Sequence, residues 1–170
     1  MKTKQLTIDA MLAAMCAVLG YISIDTGTVK VTFESLPVII GALMFGPIDG
    51  MLIGGIGTFI YQAVRFGVEL STPLWIIPYV ITGFITGYIA KRGNYSLSEG
   101  KMRYAIVQNE VLLLILNTVS LYIYFIYILD MTGYVVSALP LRLAICAVKS
   151  VAYAVIVPML IKAVKGAVRG

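Results

Sequence analysis

Six apolar runs, at residues 6–24, 35–46, 49–64, 73–90, 104–129 and 137–162, are separated by the polar segments TGTVK, GPID, RFGVELST, KRGNYSLSEGK and DMTG. About 20 apolar residues cross a bilayer core as a helix. Lipid offers no partner to a backbone N–H or C=O, so a spanning segment must satisfy both internally. The expectation is an all-α integral membrane protein, with six transmembrane helices in one compact bundle that takes up residues 1–170 as a single domain. The chain is 60% hydrophobic and 12% charged, more apolar than a soluble domain, and six helices with their connections leave no room for a soluble unit. The second run is short for a crossing, which predicts either an extension back through Val29 to Phe33 or a tilted, partly sheltered helix.

Charge sets the orientation. With the N- and C-termini cytoplasmic, Lys2, Lys4, Lys91, Arg92, Lys101, Arg103, Lys162, Lys165 and Arg169 fall inside, and only Lys30 and Arg65 fall in outer loops. Lys2 and Lys4 before an apolar run imitate a signal peptide, but Asp9 interrupts the run and no convincing cleavage site follows, so the segment reads as the first helix. The net charge of +5 comes from cations scattered over loops and helix ends, without a basic arm interleaved with aromatics, which argues against nucleic acid as a partner. Cys16 and Cys146 sit alone in apolar stretches and there is no histidine, so the sequence offers neither a disulfide framework nor a metal cluster. Gly50-x-x-x-Gly54 in the third run reads as a close helix contact, since no strand precedes it to make a nucleotide fingerprint.

The sixth run carries two cations, Arg142 and Lys149, with no acidic residue in residues 139–160. A cation at mid-bilayer costs roughly 2.5–3.5 kcal/mol on insertion scales, so each needs a partner, a cavity or a ligand. Residues seven apart share a helix face. On that rule Glu110, Asn117 and Tyr124 form a facing stripe on the fifth helix. Between antiparallel neighbours, Asn117 and Lys149 meet at mid-depth, Glu110 lies nearer the cytoplasm and Arg142 nearer the outside, leaving Asp130 or Glu34 as the acidic loop residues within its reach. The fourth helix adds Trp75, Tyr79, Thr82 and Thr86, and the third adds Thr58, Gln62 and Arg65. These stripes describe a pocket opening outward, lined by aromatic rings and a few directed polar groups, as a small, flat, polar ligand requires. Each residue also has a plainer reading: Arg65 as a snorkelling loop cation, Trp75 and Tyr79 as interfacial aromatics, and Lys149 as a group held by Asn117 and carbonyls.

Enzyme chemistry finds no footing. A membrane hydrolase needs a Ser/His pair or a His/Asp cluster, a channel needs a filter loop or charged ring, and a nucleotide-driven pump needs a Walker motif. None is present.

The first helix contains IDAMLAAMCAVLG, whose Ala10, Ala13, Ala14 and Ala17 give two overlapping Ala-x-x-x-Ala spacings. Together with six spans, FESLPVIIGALMFGPIDGMLIGGIGTFIYQ, KR after the fourth span and LPLRLAICAVKS in the sixth, the chain resembles the substrate-binding S components of energy-coupling factor (ECF) vitamin transporters, especially the folate family, over almost its whole length. The resemblance implies a plasma-membrane protein of a prokaryote that captures a vitamin outside with high affinity. It delivers the vitamin through a transmembrane T subunit and two ATPase subunits, which use the ATP; this chain itself carries no cofactor or metal. It implies that Ala10, Ala13, Ala14 and Ala17 dock the T subunit, with Leu12 pointing elsewhere, and that loops after the first, third and fifth helices close the pocket. Folate would meet Arg142, with Lys149 or Arg65, through its carboxylates, and Pro140 and Arg142 match the family's arginine after a proline. The third helix departs from the folate pattern, with GTFIYQ in place of an acidic GD-type continuation. An S component for another vitamin or precursor, queuosine or a pantothenate-like acid, and a self-contained small secondary transporter are the alternatives.

Overall fold

The computed structural model describes residues 3–25, 30–127 and 133–169. Lys2 and Asp130, and the side chains of Lys165 and Arg169, lie outside what it describes. The apolar runs form α1 (Thr3–Tyr21), α2 (Ser35–Phe45), α3 (Pro47–Phe66), α4 (Thr72–Arg92), α5 (Glu99–Tyr127) and α6 (Gly133–Arg169). Among the described residues, three of these are long and apolar enough to cross a membrane, over Thr72–Arg92, Glu99–Ile126 and Ser137–Val164.

The second run does not extend backwards. Residues Ile24–Asp25 and Lys30–Val31 form a short antiparallel ladder, β1 and β2, with Ile24 opposite Val31 and Asp25 opposite Lys30. Helix α2 therefore starts only at Ser35, and its eleven residues are sheltered instead. Pro37, Val38, Ile39, Ile40, Ala42 and Leu43 are all buried, because α2 packs against α1, α3, α4 and α6 together. A helix enclosed by protein need not match the bilayer thickness, which is why so short a run is tolerated here. Its Val38 and Ile39 join Ile53, Ile106 and Val157 in the core.

Helix α2 ends at Gly46, whose φ of 114° suits a residue without a Cβ, and Pro47 opens α3 with the fixed φ that a first helical position favours. The turn places α3 flat against α4, and here the glycine spacing acts. A Cβ on Gly83 would fall 2.4 Å from the Gly50 carbonyl oxygen, and one on Gly54 would fall 2.7 Å from the Tyr79 carbonyl oxygen. The two backbones touch, and that contact sets where Tyr79 stands. Gly83→Val is expected to cost at least the 1–3 kcal/mol or so typical of overpacking, since the obstructing atoms are backbone and cannot swing aside. Thermal unfolding in detergent checks this, with Gly100→Ala, where a Cβ meets nothing within 4 Å, as the neutral control.

Candidate functional site

Helices α3 to α6 and the β1–β2 hairpin enclose a cavity of about 510 Å³. Glu34, Gln62, Trp75, Tyr79, Asn117, Tyr124 and Arg142 all line it. Three of them make its aromatic wall. The rings of Trp75 and Tyr124 pack across α4 and α5 with centroids 5.6 Å apart and planes tilted by 60°, and Tyr124 meets Phe125 edge-on at 5.7 Å. Tyr79 is buried, with its hydroxyl 3.3 Å from Thr32 Oγ1 of the segment after β2.

Charged groups of both signs line the same cavity. Lys30 lines the cavity from β2; its Nζ donates to the Tyr61 hydroxyl and lies 4.6 Å from the centre of the Tyr61 ring and 4.8 Å from that of Phe66. Such cation–ring contacts hold an ammonium in place without neutralising it. Glu34, which precedes α2, is 1% exposed. Glu69 and Ser71, in the connection from α3 to α4, complete the rim.

Lys149 stands elsewhere. Its Nζ is 3.0 Å from Glu110 Oε2 and 3.2 Å from Ser35 Oγ, and 5.4 Å from the centre of the Tyr153 ring. The expected mid-depth meeting with Asn117 is thus replaced by an ion pair one heptad earlier on α5. This pair lines a smaller pocket of about 100 Å³ that shares Lys30, Thr32, Tyr79, Asn117 and Arg142 with the main cavity.

Arg65 is not among the cavity-lining residues. Its Nη1 donates to the Tyr21 carbonyl and to Ser23 Oγ, each at 2.9 Å, and its guanidinium lies 5.9 Å from the centre of the Tyr21 ring. It ties the C-terminal end of α3 to the end of α1 and the start of the hairpin.

The four alanines of α1 divide between two faces. Ala10 and Ala14 are exposed and Ala17 is half-buried, whereas Ala13 is 5% exposed and turned inward. There a Cβ on Gly57 would come within 2.8 Å of the Ala13 carbonyl oxygen, so this side of α1 is already taken by α3. Leu12 does point elsewhere, into the core.

Lys30, Thr32, Tyr61, Phe66 and Glu69 escaped the sequence reading as cavity residues. Tyr61 and Phe66 sit beside Gln62 and Arg65 on α3, and their helical spacing was the signal available. Lys30 gave none, because only the folding-back of the hairpin brings it there.

A family model described as ECF transporter, substrate-specific component matches residues 4–163. The chain belongs to that family. An S component is a membrane protein and a substrate-binding transporter component, not an enzyme, and it partners T and ATPase subunits in the uptake of a small molecule. No curated protein matches this S component.

Proposed function

We propose that this S component captures folate with high affinity from outside a prokaryotic cell and releases it inwards through an ECF module whose two ATPase subunits consume the ATP. In this reading six helices span the plasma membrane with both termini cytoplasmic, and the cavity is the outward-facing binding site. One observation carries it: a single cavity combines aromatic walls, the cations Lys30 and Arg142, and the carboxylates Glu34 and Glu69. Folate has a flat, donor-bearing pterin for the rings and carboxylates for the cations. Trp75, Tyr79 and Tyr124 take the ring system, Gln62 and Asn117 orient it, and Arg142 meets a carboxylate. Lys149 contributes from the adjoining pocket, and Arg65 acts on the site by fastening the hairpin. The exposed Ala10 and Ala14, with Ala17 at their edge, form the face offered to the T subunit, and Ala13 supports that face from beneath.

The two carboxylates favour a second reading, an S component for a precursor with a basic amine, of which queuosine is an example. Copurified small molecules read by mass spectrometry separate the two, and copurified ATPase subunits argue against a self-contained transporter. For folate itself, Arg142→Ala is expected to weaken binding by roughly 10- to 100-fold, the value of a charge-assisted hydrogen bond. Arg142→Lys should weaken it less, since an ammonium keeps the charge but loses the two parallel bonds of a guanidinium. Isothermal titration in detergent measures both. Equal affinity for wild type and the alanine variant would remove Arg142 from the site.

A further inference from the structure

A second hollow, of about 580 Å³, runs between α5 and α6. Val107, Val111 and Leu114 form its α5 side, and on α6 the small residues Ala147, Ser150 and Ala154 open it up. Of the three long apolar helices, α5 and α6 are the two least enclosed by protein. Among the described residues Arg103 is the one charged group on its lining, and it stands at one end. The ion pairs of Glu99 with Lys162 and of Glu110 with Lys149 set the two helices antiparallel, so that Arg103 is level with the Val155 end of the groove and Leu114 with the Leu143 end. From Arg103 to Leu114 the helix rises roughly 16 Å at 1.5 Å per residue, about half of the ~30 Å hydrocarbon core. The groove is thus one leaflet long. Tyr104, exposed beside Arg103, is an aromatic of the kind that sits at the membrane–water boundary.

We propose that this groove holds one acyl chain of an anionic phospholipid, with its headgroup phosphate against Arg103. The guanidinium makes only a loose contact within the protein, Nη2 lying 3.7 Å from Glu99 Oε2, while Lys162 takes Glu99 Oε1 at 2.5 Å. Its fork can therefore turn two parallel donors toward a phosphate. Charge selects the headgroup. Lys101, Arg103 and Lys162 gather at this end against the single carboxylate of Glu99, so a zwitterionic lipid would bring its own ammonium into a cationic neighbourhood. Basic pockets between membrane helices bind anionic headgroups on these grounds. At the other end, Leu114 and Cys146 line both the groove and the pocket of about 100 Å³ that adjoins the ligand cavity. The wall there is a single layer of side chains, and the tip of the acyl chain supplies the dispersion contacts on its lipid side.

The proposal needs α5 and α6 to lie in lipid and is indifferent to which vitamin the cavity takes. Phosphatidylglycerol and phosphatidylcholine with identical acyl chains, titrated into the purified protein and read by native mass spectrometry, test it. Detergent competes equally with both lipids, so the ratio of affinities is the readout. Wild type is expected to hold phosphatidylglycerol about fivefold more tightly, the factor given by one cation near an anionic lipid. Arg103→Gln should lose that preference, whereas Lys101→Gln, a cation on the same turn that does not line the groove, should keep it. Ala147→Phe, which fills the groove midway, should weaken both lipids alike, and melting curves establish that each variant is folded. Equal wild-type affinity for the two lipids, a preference that survives Arg103→Gln, or one lost equally in Lys101→Gln overturns the proposal. So does unchanged lipid binding by Ala147→Phe, and if that variant instead fails to pull down the T subunit, the groove belongs to a protein helix.

Discussion

Ala14→Trp is expected to abolish ATP-driven uptake while leaving the affinity of the isolated protein for its ligand within about twofold of wild type. Ala14 is exposed on α1 next to Ala10, and a smooth face of this kind lets a partner helix come close enough for dispersion contacts to accumulate. An indole there holds the partner away, yet it faces away from the cavity, whose walls come from the hairpin and α3 to α6. Binding and transport must then separate. Ala17→Trp should have a smaller effect, being half-buried at the margin of the face, and Val119→Trp, exposed on α5, serves as the control. Reconstituted transport with a radiolabelled substrate, together with pull-down of the T and ATPase subunits, measures both quantities. Wild-type assembly and import by Ala14→Trp would move the docking surface off α1.

The second large effect concerns the ion pair between Glu110 and Lys149. Their side chains are 3% and 12% exposed, so neither charge has water to turn to. Lys149→Met alone, or Glu110→Leu alone, is expected to cost about 3–5 kcal/mol by stranding the other charge, whereas the double variant should regain most of that stability. A thermodynamic cycle from melting curves in detergent isolates the coupling. A double variant no more stable than the worse single variant would mean the two charges do not compensate each other. The same double variant decides the part Lys149 plays in binding: it keeps the fold but lacks the ammonium, so an unchanged ligand affinity removes Lys149 from the site.

Much of this architecture can be read from the sequence because lipid imposes it. Every long apolar run became a helix, and seven-residue spacing correctly turned Asn117, Tyr124 and Arg142 toward the same space. Spacing gives the angle of a side chain about its helix but not its height against a neighbour. Lys149 shows the difference: it met Glu110 rather than Asn117, an offset of seven residues, or about 10 Å at 1.5 Å per residue. Two-residue strands carry no periodicity at all, so the hairpin and Lys30 could not be found that way. Arg65 was placed correctly at the end of α3 by its position, but an arginine reaches far enough sideways that its partners, Tyr21 and Ser23, depend on the packing of α1.

Helix α1 touches two different worlds along its length. Its middle bears the exposed Ala10 and Ala14, and near its C-terminal end Gly20 lies against the Glu34 carboxylate while Arg65 grips Tyr21. A rigid helix cannot tilt at one end and stay fixed at the other. If the T subunit draws α1 toward itself, the carboxylate loses the surface it rests on and the hairpin is pulled with it. Thermodynamic reciprocity then fixes the exchange rate: by whatever factor docking loosens the ligand, the ligand loosens docking. A loaded protein that binds the module weakly and an engaged one that holds its cargo weakly would be the same free energy measured from opposite ends.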